Sequence, residues 1–313
     1  MKHIFIINPA AGAQNCTDYI SCLLKNADLD IEYEIHTTTY IGEATEFIRK
    51  TLSESEALHR FYACGGDGTL NEVVNGVIGF QNAEVTVFPC GSGNDYVKYY
   101  GTADDFSDIS ELIKAKSHKV DVLKVGDRYA INAVHFGLDS YVLKTMIKVR
   151  RNAILGKKRA YTTGVIAGFI GGMNTYCSMK ADGKKIGGER ILLCTLANGK
   201  YVGGSYQSAP LSLNNDGLIE VLSVNPISRL RFLTLMNAYK RGEHLEDSRF
   251  DKYLNYTKAK KVEITAPTEI PVSIDGELLY LKDFTVEIVE SAVNFVAPAH
   301  LTSNSKTDTL NKI

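Results

Sequence analysis

No sign of charge predominates in this 313-residue chain: Lys+Arg number 35 against Asp+Glu 36, a formal net charge of −1. That balance excludes the whole-chain electrostatic grip of a nucleic-acid binder. Proline is scarce at 7 residues, and 44% of the chain is apolar, which excludes disordered and collagen-like classes. The six cysteines (Cys16, Cys22, Cys64, Cys90, Cys177, Cys194) form no C-x-x-C pair and have no zinc-finger spacing with the seven histidines. They read as reduced thiols of a cytosolic protein. No window reaches the roughly 18 uninterrupted apolar residues of a membrane span. Residues 164–173 come nearest and are short and glycine-rich. The opening MKHIFIINPAAG lacks the long apolar core of a signal peptide and reads as a first strand. A soluble chain is expected.

What is present is an alternation. Strand patterns at 3–9, 31–37, 60–66 and 85–91 are separated by helical patterns at 16–27, 42–57 and 70–80. Strands separated by helices imply a parallel sheet with right-handed crossovers. Beyond about residue 118 the pattern changes. Residues 120–134 read as a hairpin around Gly126-Asp127, and strand-like runs follow at 189–197, 218–224, 260–266, 271–281 and 284–296. One helix intervenes at 228–242. The expected fold class is α/β, an N-terminal parallel-sheet nucleotide-binding domain followed by a mainly antiparallel β-sandwich domain. The boundaries are placed at 1–122 and 123–298, with a polar tail at 299–313. The end of the chain is left free to pack back on the first domain.

Ligands of wound sheets sit beyond the carboxyl ends of the strands. Three loops fall there: residues 8–12, 65–69 and 91–95. In Gly65-Gly66-Asp67-Gly68-Thr69, three glycines within four positions let backbone N–H groups approach an anion, and the following helix adds its positive end. Asp67 makes sense in a phosphate loop if it holds Mg²⁺ or orders the loop through backbone bonds. The chain has no GxxxxGK[ST], and Asn71 stands where a dinucleotide fingerprint needs its third glycine. Elsewhere, Asp275-Gly276-Glu277 and Asp216-Gly217 each read, taken alone, as turns. Asp121 is either a solvated strand residue or a carboxylate supporting a site.

GGDGTLNEVVNG, with the upstream Asn8-Pro9-Ala10-Ala11-Gly12 and the downstream Gly91-Ser92-Gly93-Asn94-Asp95, resembles the diacylglycerol kinase catalytic domain family. Residues 38–44 resemble its T-x-x-x-G-H-A segment with Glu43 in place of the histidine, and Val120-Asp121-Val122 its V-D-V strand. Residues 216–221 and 275–277 resemble its D-G-x-L-x-V and D-G-E segments. The resemblance implies an ATP-dependent kinase acting on a lipid hydroxyl, most simply diacylglycerol to phosphatidic acid, with a cleft between two domains. ATP would be surrounded by Asn8, Pro9, Ala10, Ala11, Gly12, Thr38, Gly65, Gly66, Asp67, Gly68, Thr69, Leu70, Asn71, Glu72, Ser92, Asn94 and Asp95. A structural Mg²⁺ would sit at Asp216 with Leu213 and Leu218, and Glu277 would accept the lipid proton, with Asp275 and Asp121 beside it as catalytic candidates. Sphingoid or other long-chain lipids, an NAD kinase-like reaction and an inactive nucleotide- and membrane-binding regulator are the alternatives.

Between Lys144 and Arg159 seven basic residues (Lys144, Lys148, Arg150, Arg151, Lys157, Lys158, Arg159) occur without an acid. A solvated helix face is one reading. The other is an interfacial segment, 144–159, docking on an anionic membrane. The expected partners are therefore a lipid substrate and an anionic bilayer surface, with no nucleic acid and a homodimer left open. The expected location is cytoplasmic with peripheral membrane association.

Overall fold

A computed structural model describes residues 1–12, 16–26, 31–151 and 174–302. The chain forms two compact units: Met1–Val122 with the described residues from Glu290 on, and Leu123–Val289. The expected second domain ran to residue 298, but the chain returns to the first unit from Glu290.

In the first unit the order is β1 (Lys2–Ile7), α1 (Cys16–Asn26), β2 (Tyr33–Thr37), α2 (Glu43–Glu54), β3 (His59–Gly65), α3 (Asp67–Val77), β4 (Ala83–Pro89), α4 (Ile109–Lys114) and β5 (Ser117–Val125). The strands lie in the order β2-β1-β3-β4 and are parallel. Residues 294–295 of the last strand add to β4, also in parallel. Both faces of these strands are covered, so β1 and β3 read as unbroken apolar runs: Ile4 to Ile7 and Phe61 to Cys64 are fully buried. Ile20 of α1, Ile48 of α2 and Val73 and Val74 of α3 supply the helical side of this core.

The buried Arg60 of β3 donates to Glu84 Oε2 at 2.8 Å and to the carbonyls of Leu112, Ile113 and Ala115, closing the end of α4. Contrary to the expectation of six thiols, Cys16 and Cys90 are joined in a disulfide, with Cα atoms 6.7 Å apart. The fold sets the start of α1 beside the end of β4, a neighbourhood that 74 intervening residues hide from sequence reading. Cys22, Cys64, Cys177 and Cys194 are thiols.

The second unit carries β6 (Arg128–Ala130), β7 (Ala133–Gly137), α5 (Leu138–Arg151), β8 (Thr175–Tyr176), β9 (Ser178–Ala181), β10 (Lys184–Ile186), β11 (Arg190–Ile191), β12 (Leu193–Ala197), β13 (Ile219–Val224), α6 (Arg229–Lys240), β14 (Leu254–Ala259), β15 (Lys261–Ile274) and β16 (Glu277–Val296). It is the antiparallel β-sandwich. One sheet runs β14-β13-β12-β7-β15-β16. β15 pairs with β9 over Val262–Thr265 and with β7 over Val272–Ile274, and its register shifts between Thr265 and Ile270. That irregularity lets one strand pair with β9 along its first part and with β7 along its last. Phe136, Met179, Leu196, Val221, Val262 and Val272 fill the interior.

Buried histidines in both units are lowered alike, and a buried carboxyl in the second sets the pH responses apart. Desolvation lowers His3, in β1, from 6.5 to about 4, with the Arg60 charge adding to it. The native imidazole therefore stays neutral while the unfolded chain protonates below about 6.5, so stability is full above that pH and is lost as pH falls toward 4. From pH 7 to pH 5 this removes about 2 kcal/mol from the first unit. In the second unit His244 is likewise lowered by burial to about 4. There, burial raises the Asp139 carboxyl from 3.8 to about 6, so the native state takes up a proton first and offsets most of the loss. Hydrogen exchange at pH 7 and pH 5 should show β1 and β3 losing protection while β12 and β13 nearly keep theirs. Equal losses in both units would refute this assignment.

Candidate functional site

The three glycine-bearing loops come together at the carboxyl ends of β1, β3 and β4. β3 ends at Gly65 and α3 begins at Asp67, with Gly66 between them in an extended conformation. The amides of Cys90 and Gly91 both donate to the Gly65 carbonyl, at 2.9 and 3.1 Å, and the Asn8 amide donates to Cys64 O at 3.1 Å. Backbones touch where side chains would not fit. A Cβ on Gly91 would lie 2.4 Å from Gly66 Cα, and one on Gly12, at φ +76°, would lie 2.4 Å from the Cys90 carbonyl oxygen. Asn8 spans two loops: its Nδ2 donates to Thr69 Oγ1 at 3.3 Å, and its Oδ1 accepts the Ala10 amide at 3.0 Å. The third loop is latched by Asp67, whose Oδ1 accepts the Asp95 amide at 2.5 Å. Of the two uses that sequence allows Asp67, loop ordering is the one this hydrogen bond supports. Lys98 Nζ in turn sits 2.7 Å from Asp95 Oδ1, and Asn94 Nδ2 donates to Gly91 O at 2.9 Å.

Exposure divides the expected nucleotide residues. Pro9, Ala10, Gly12, Gly68 and Ser92 are exposed, and Ala11, Gly66, Asp67 and Glu72 are partly so. Thr69, Leu70 and Asn71 are buried, Leu70 within the core, so their side chains support the loop from behind. Gly68 differs from its neighbours, because a Cβ built there meets nothing within 4 Å. The amides at the start of α3 precede the first intrahelical acceptor and present the donor-rich end of the helix there. Thr38 hangs from the end of β1, its amide and Oγ1 both donating to Ile7 O, at 2.9 and 3.3 Å.

Glu43, the departure from the T-x-x-x-G-H-A segment, is accounted for locally. Its Oε2 accepts from the Thr39 amide and hydroxyl at 2.5 and 2.7 Å, and its Oε1 lies 3.3 Å from His36 Nε2. The carboxylate folds the 38–42 loop onto the first turn of α2, which holds its pKa below the usual value.

In the second unit, Ile274 pairs with Glu277 across a two-residue turn, and Asp275 (φ +46°) and Gly276 (φ +91°) both take left-handed conformations. Asp275 Oδ2 accepts the Ile131 amide at 2.7 Å, and Oδ1 accepts the Asn132 and Ala133 amides at 3.1 and 2.9 Å. Three donors occupy this carboxylate, so it anchors the turn that presents Glu277. Glu277 is half-exposed, and its Oε2 lies 2.5 Å from Arg128 Nη1. Arg128 escapes sequence reading, because 149 residues separate it from its partner and only the two-residue Gly126-Asp127 turn hints at its placement. Asp121 is buried on β5, and its Oδ1 accepts the Ser291 amide at 2.7 Å, where φ is +54°. In the structure it fastens the returning strand to the first unit.

The expected metal set meets a different arrangement. Asp216 Oδ1 accepts the Leu218 amide at 3.1 Å, closing its own turn, while Oδ2 lies 3.0 Å from Lys258 Nζ. Glu220, buried and with its pKa raised by desolvation, faces the same ammonium at 3.6 Å. No group of three or more His, Cys, Asp or Glu gathers among the described residues. With Lys258 against its only carboxylate, the set of Leu213, Asp216 and Leu218 does not fit a resident Mg²⁺.

Of the basic run, the side chains of Lys144 and Lys148, both exposed on α5, are described; those of Arg150, Arg151, Lys157, Lys158 and Arg159 lie outside the described residues. Lys144 Nζ stands 5.3 Å from the ring centroid of Tyr280. Among the described residues no helix is long and apolar enough to cross a membrane.

Residues 2–125 match the family model of the diacylglycerol kinase catalytic domain, and residues 132–297 match that of the YegS C-terminal NAD kinase beta sandwich-like domain. A diacylglycerol kinase of Bacillus subtilis is 29% identical, over 88% of this chain and 90% of its own length. A putative lipid kinase of Staphylococcus aureus is 25% identical, over 94% of each. A putative diacylglycerol kinase from Bacillus anthracis superposes with a TM-score of 0.75 at 22% identity, over 96% of this chain and 97% of that one. An NAD kinase from Archaeoglobus fulgidus reaches 0.52 at 14%, over 99% of each. The second family model alone covers more than half of the chain, and with the first it leaves little unmatched. The chain belongs to the diacylglycerol kinase-like lipid kinases, phosphotransferases with an alcohol acceptor.

Proposed function

We propose that this chain transfers the γ-phosphoryl group of ATP to the free hydroxyl of diacylglycerol, giving phosphatidic acid and ADP. The observation that carries the donor half is the cradle of loops 8–12, 65–69 and 91–95, where backbones pack against one another and the space beside Gly68 is open. Phosphoryl transfer asks chiefly for positioning and for neutralisation of phosphate charge. The amides of the glycine loops and the start of α3 supply donors for the phosphates, and Asn8 and Asp67 hold the three loops in register. ATP enters as its magnesium complex, the ion being part of the substrate.

Glu277 is the base. As the lipid oxygen bonds to the γ-phosphorus, the bond to the β–γ bridging oxygen breaks and ADP leaves with those electrons. The hydroxyl proton passes to the Glu277 carboxylate. A primary alcohol is a weak acid, so the proton moves late and a carboxylate suffices. Arg128 orients that carboxylate, and Asp275 positions the turn bearing it. The acceptor, being a lipid, is met at a bilayer surface on the ATP-containing, cytoplasmic side. The basic run beginning at Lys144 is suited to anionic headgroups there.

Incubating the purified chain with labelled ATP and a total lipid extract, followed by thin-layer separation, tests the acceptor. A labelled product that co-migrates with phosphatidic acid and vanishes after diacylglycerol is removed is the expected result. Label only in a sphingoid phosphate would replace the acceptor. Label only in a phosphorylated dinucleotide when NAD is supplied would replace the reading.

A further inference from the structure

Lys258 stands where the resemblance would seat a structural metal ion. We propose that the ammonium of Lys258 is the resident cation of the Asp216 turn, so that this part of the sandwich folds and holds its shape without a divalent ion. The proposal concerns how the unit is built and stands whichever lipid accepts the phosphate.

The register delivers the lysine. β13 and β14 are antiparallel, with Glu220 directly opposite Lys258 and Leu222 opposite Tyr256. Side chains alternate across a strand, so Tyr256 and Lys258 share a face with Glu220. Lys258 Nζ then reaches two carboxylates, Asp216 at 3.0 Å and Glu220 at 3.6 Å. Glu220 is only 2% exposed, and a buried carboxylate without a compensating charge is costly. The ammonium meets that need and leaves the two acids sharing one cation.

A magnesium ion at the same place faces two obstacles. It requires near-octahedral oxygen ligands at about 2.0–2.1 Å, and the oxygen of Asp216 turned away from its own turn already faces Lys258. A displaced ammonium would remain tethered to β14 close to the ion and repel it. Lysine and metal are therefore alternatives here, and the strand pairing selects the lysine.

The test is thermal unfolding of the whole chain, without nucleotide, in chelator and in millimolar Mg²⁺ or Ca²⁺. Wild type should melt at the same temperature in all three. Lys258→Met should melt several degrees lower in chelator, recover with the divalent ion and bind one ion by calorimetry. Asp216→Asn combined with Lys258→Met should lose that recovery. Saturable stabilisation of wild type by Mg²⁺, abolished by Asp216→Asn, would overturn the proposal. So would a Lys258→Met chain as stable in chelator as wild type. If Lys258→Met does not fold in chelator, refolding it with and without the ion reads the same difference.

Discussion

Glu277→Gln should lower turnover by about 10²- to 10⁴-fold, the range for loss of a general base, with the Kd for ATP nearly unchanged. The substitution is close to a pure chemical deletion. The glutamine oxygen can still accept from Arg128, which lies 2.5 Å from the native carboxylate. The turn that presents residue 277 is held by Asp275 through three backbone amides and by the left-handed Asp275-Gly276 pair, neither of which is altered. The Glu277–Arg128 pair is half-exposed, and such pairs contribute about 0–1 kcal/mol to stability. The melting temperature should therefore move little. Turnover measured at saturating ATP and saturating lipid separates the proton-transfer step from binding. Retained turnover would remove Glu277 from the chemistry, and lost ATP binding with intact turnover would reassign it to the donor.

The strands and helices of the first unit are legible because a parallel sheet covered on both faces writes itself as alternating apolar runs and amphipathic segments. β1, β3 and β4 each fall within two or three residues of the pattern. The glycine loops are legible for a related reason: glycine where backbones must touch is a local requirement, and Gly12, Gly66 and Gly91 show that requirement as contacts. What escapes is long-range. Arg128 and Lys258 become partners of Glu277 and Asp216 only once strand pairing is known. Strands of two to four residues, such as β8 to β11, are too short for a period to emerge, and β14, LNYTKA, mixes polar and apolar residues on both faces. The end of the second unit is hidden as well. β16 is one 20-residue strand, and nothing in its alternation marks Glu290, where it passes from one unit to the other.

Asp275 and Asp121 show what a motif leaves open, namely whether its acids do chemistry or hold the backbone. Both acids are catalytic candidates on the resemblance, and in the structure Asp275 accepts three backbone amides that fix a turn while Asp121 accepts the Ser291 amide of the returning strand. A carboxylate that accepts backbone amides fastens the segments that carry them. Glu277 instead meets the Arg128 guanidinium through Oε2 and is half-exposed, as the proposed base requires.

Gly68 separates ligand binding from folding most sharply, because alanine there should make the protein no less stable and yet impair it. The contrast is with Gly76 in the same helix, where a Cβ would lie 2.8 Å from Ile48 and the fold itself demands glycine. At Gly68 the same construction meets nothing within 4 Å, φ is not left-handed, and the residue is the second of α3. Glycine in a helix costs about 0.5–1 kcal/mol relative to alanine, so Gly68→Ala should raise or preserve the melting temperature. The space its methyl enters is the one the proposed phosphates occupy. ATP affinity should fall by about tenfold or more, the equivalent of about 1.4 kcal/mol. Gly68→Val, with two further carbons, should abolish turnover while the chain stays folded. Differential scanning calorimetry and ATP titration on the three proteins give the two readouts independently. A Gly68→Ala chain that binds ATP as wild type does, or a Gly68→Val chain that turns over normally, would place the phosphates elsewhere.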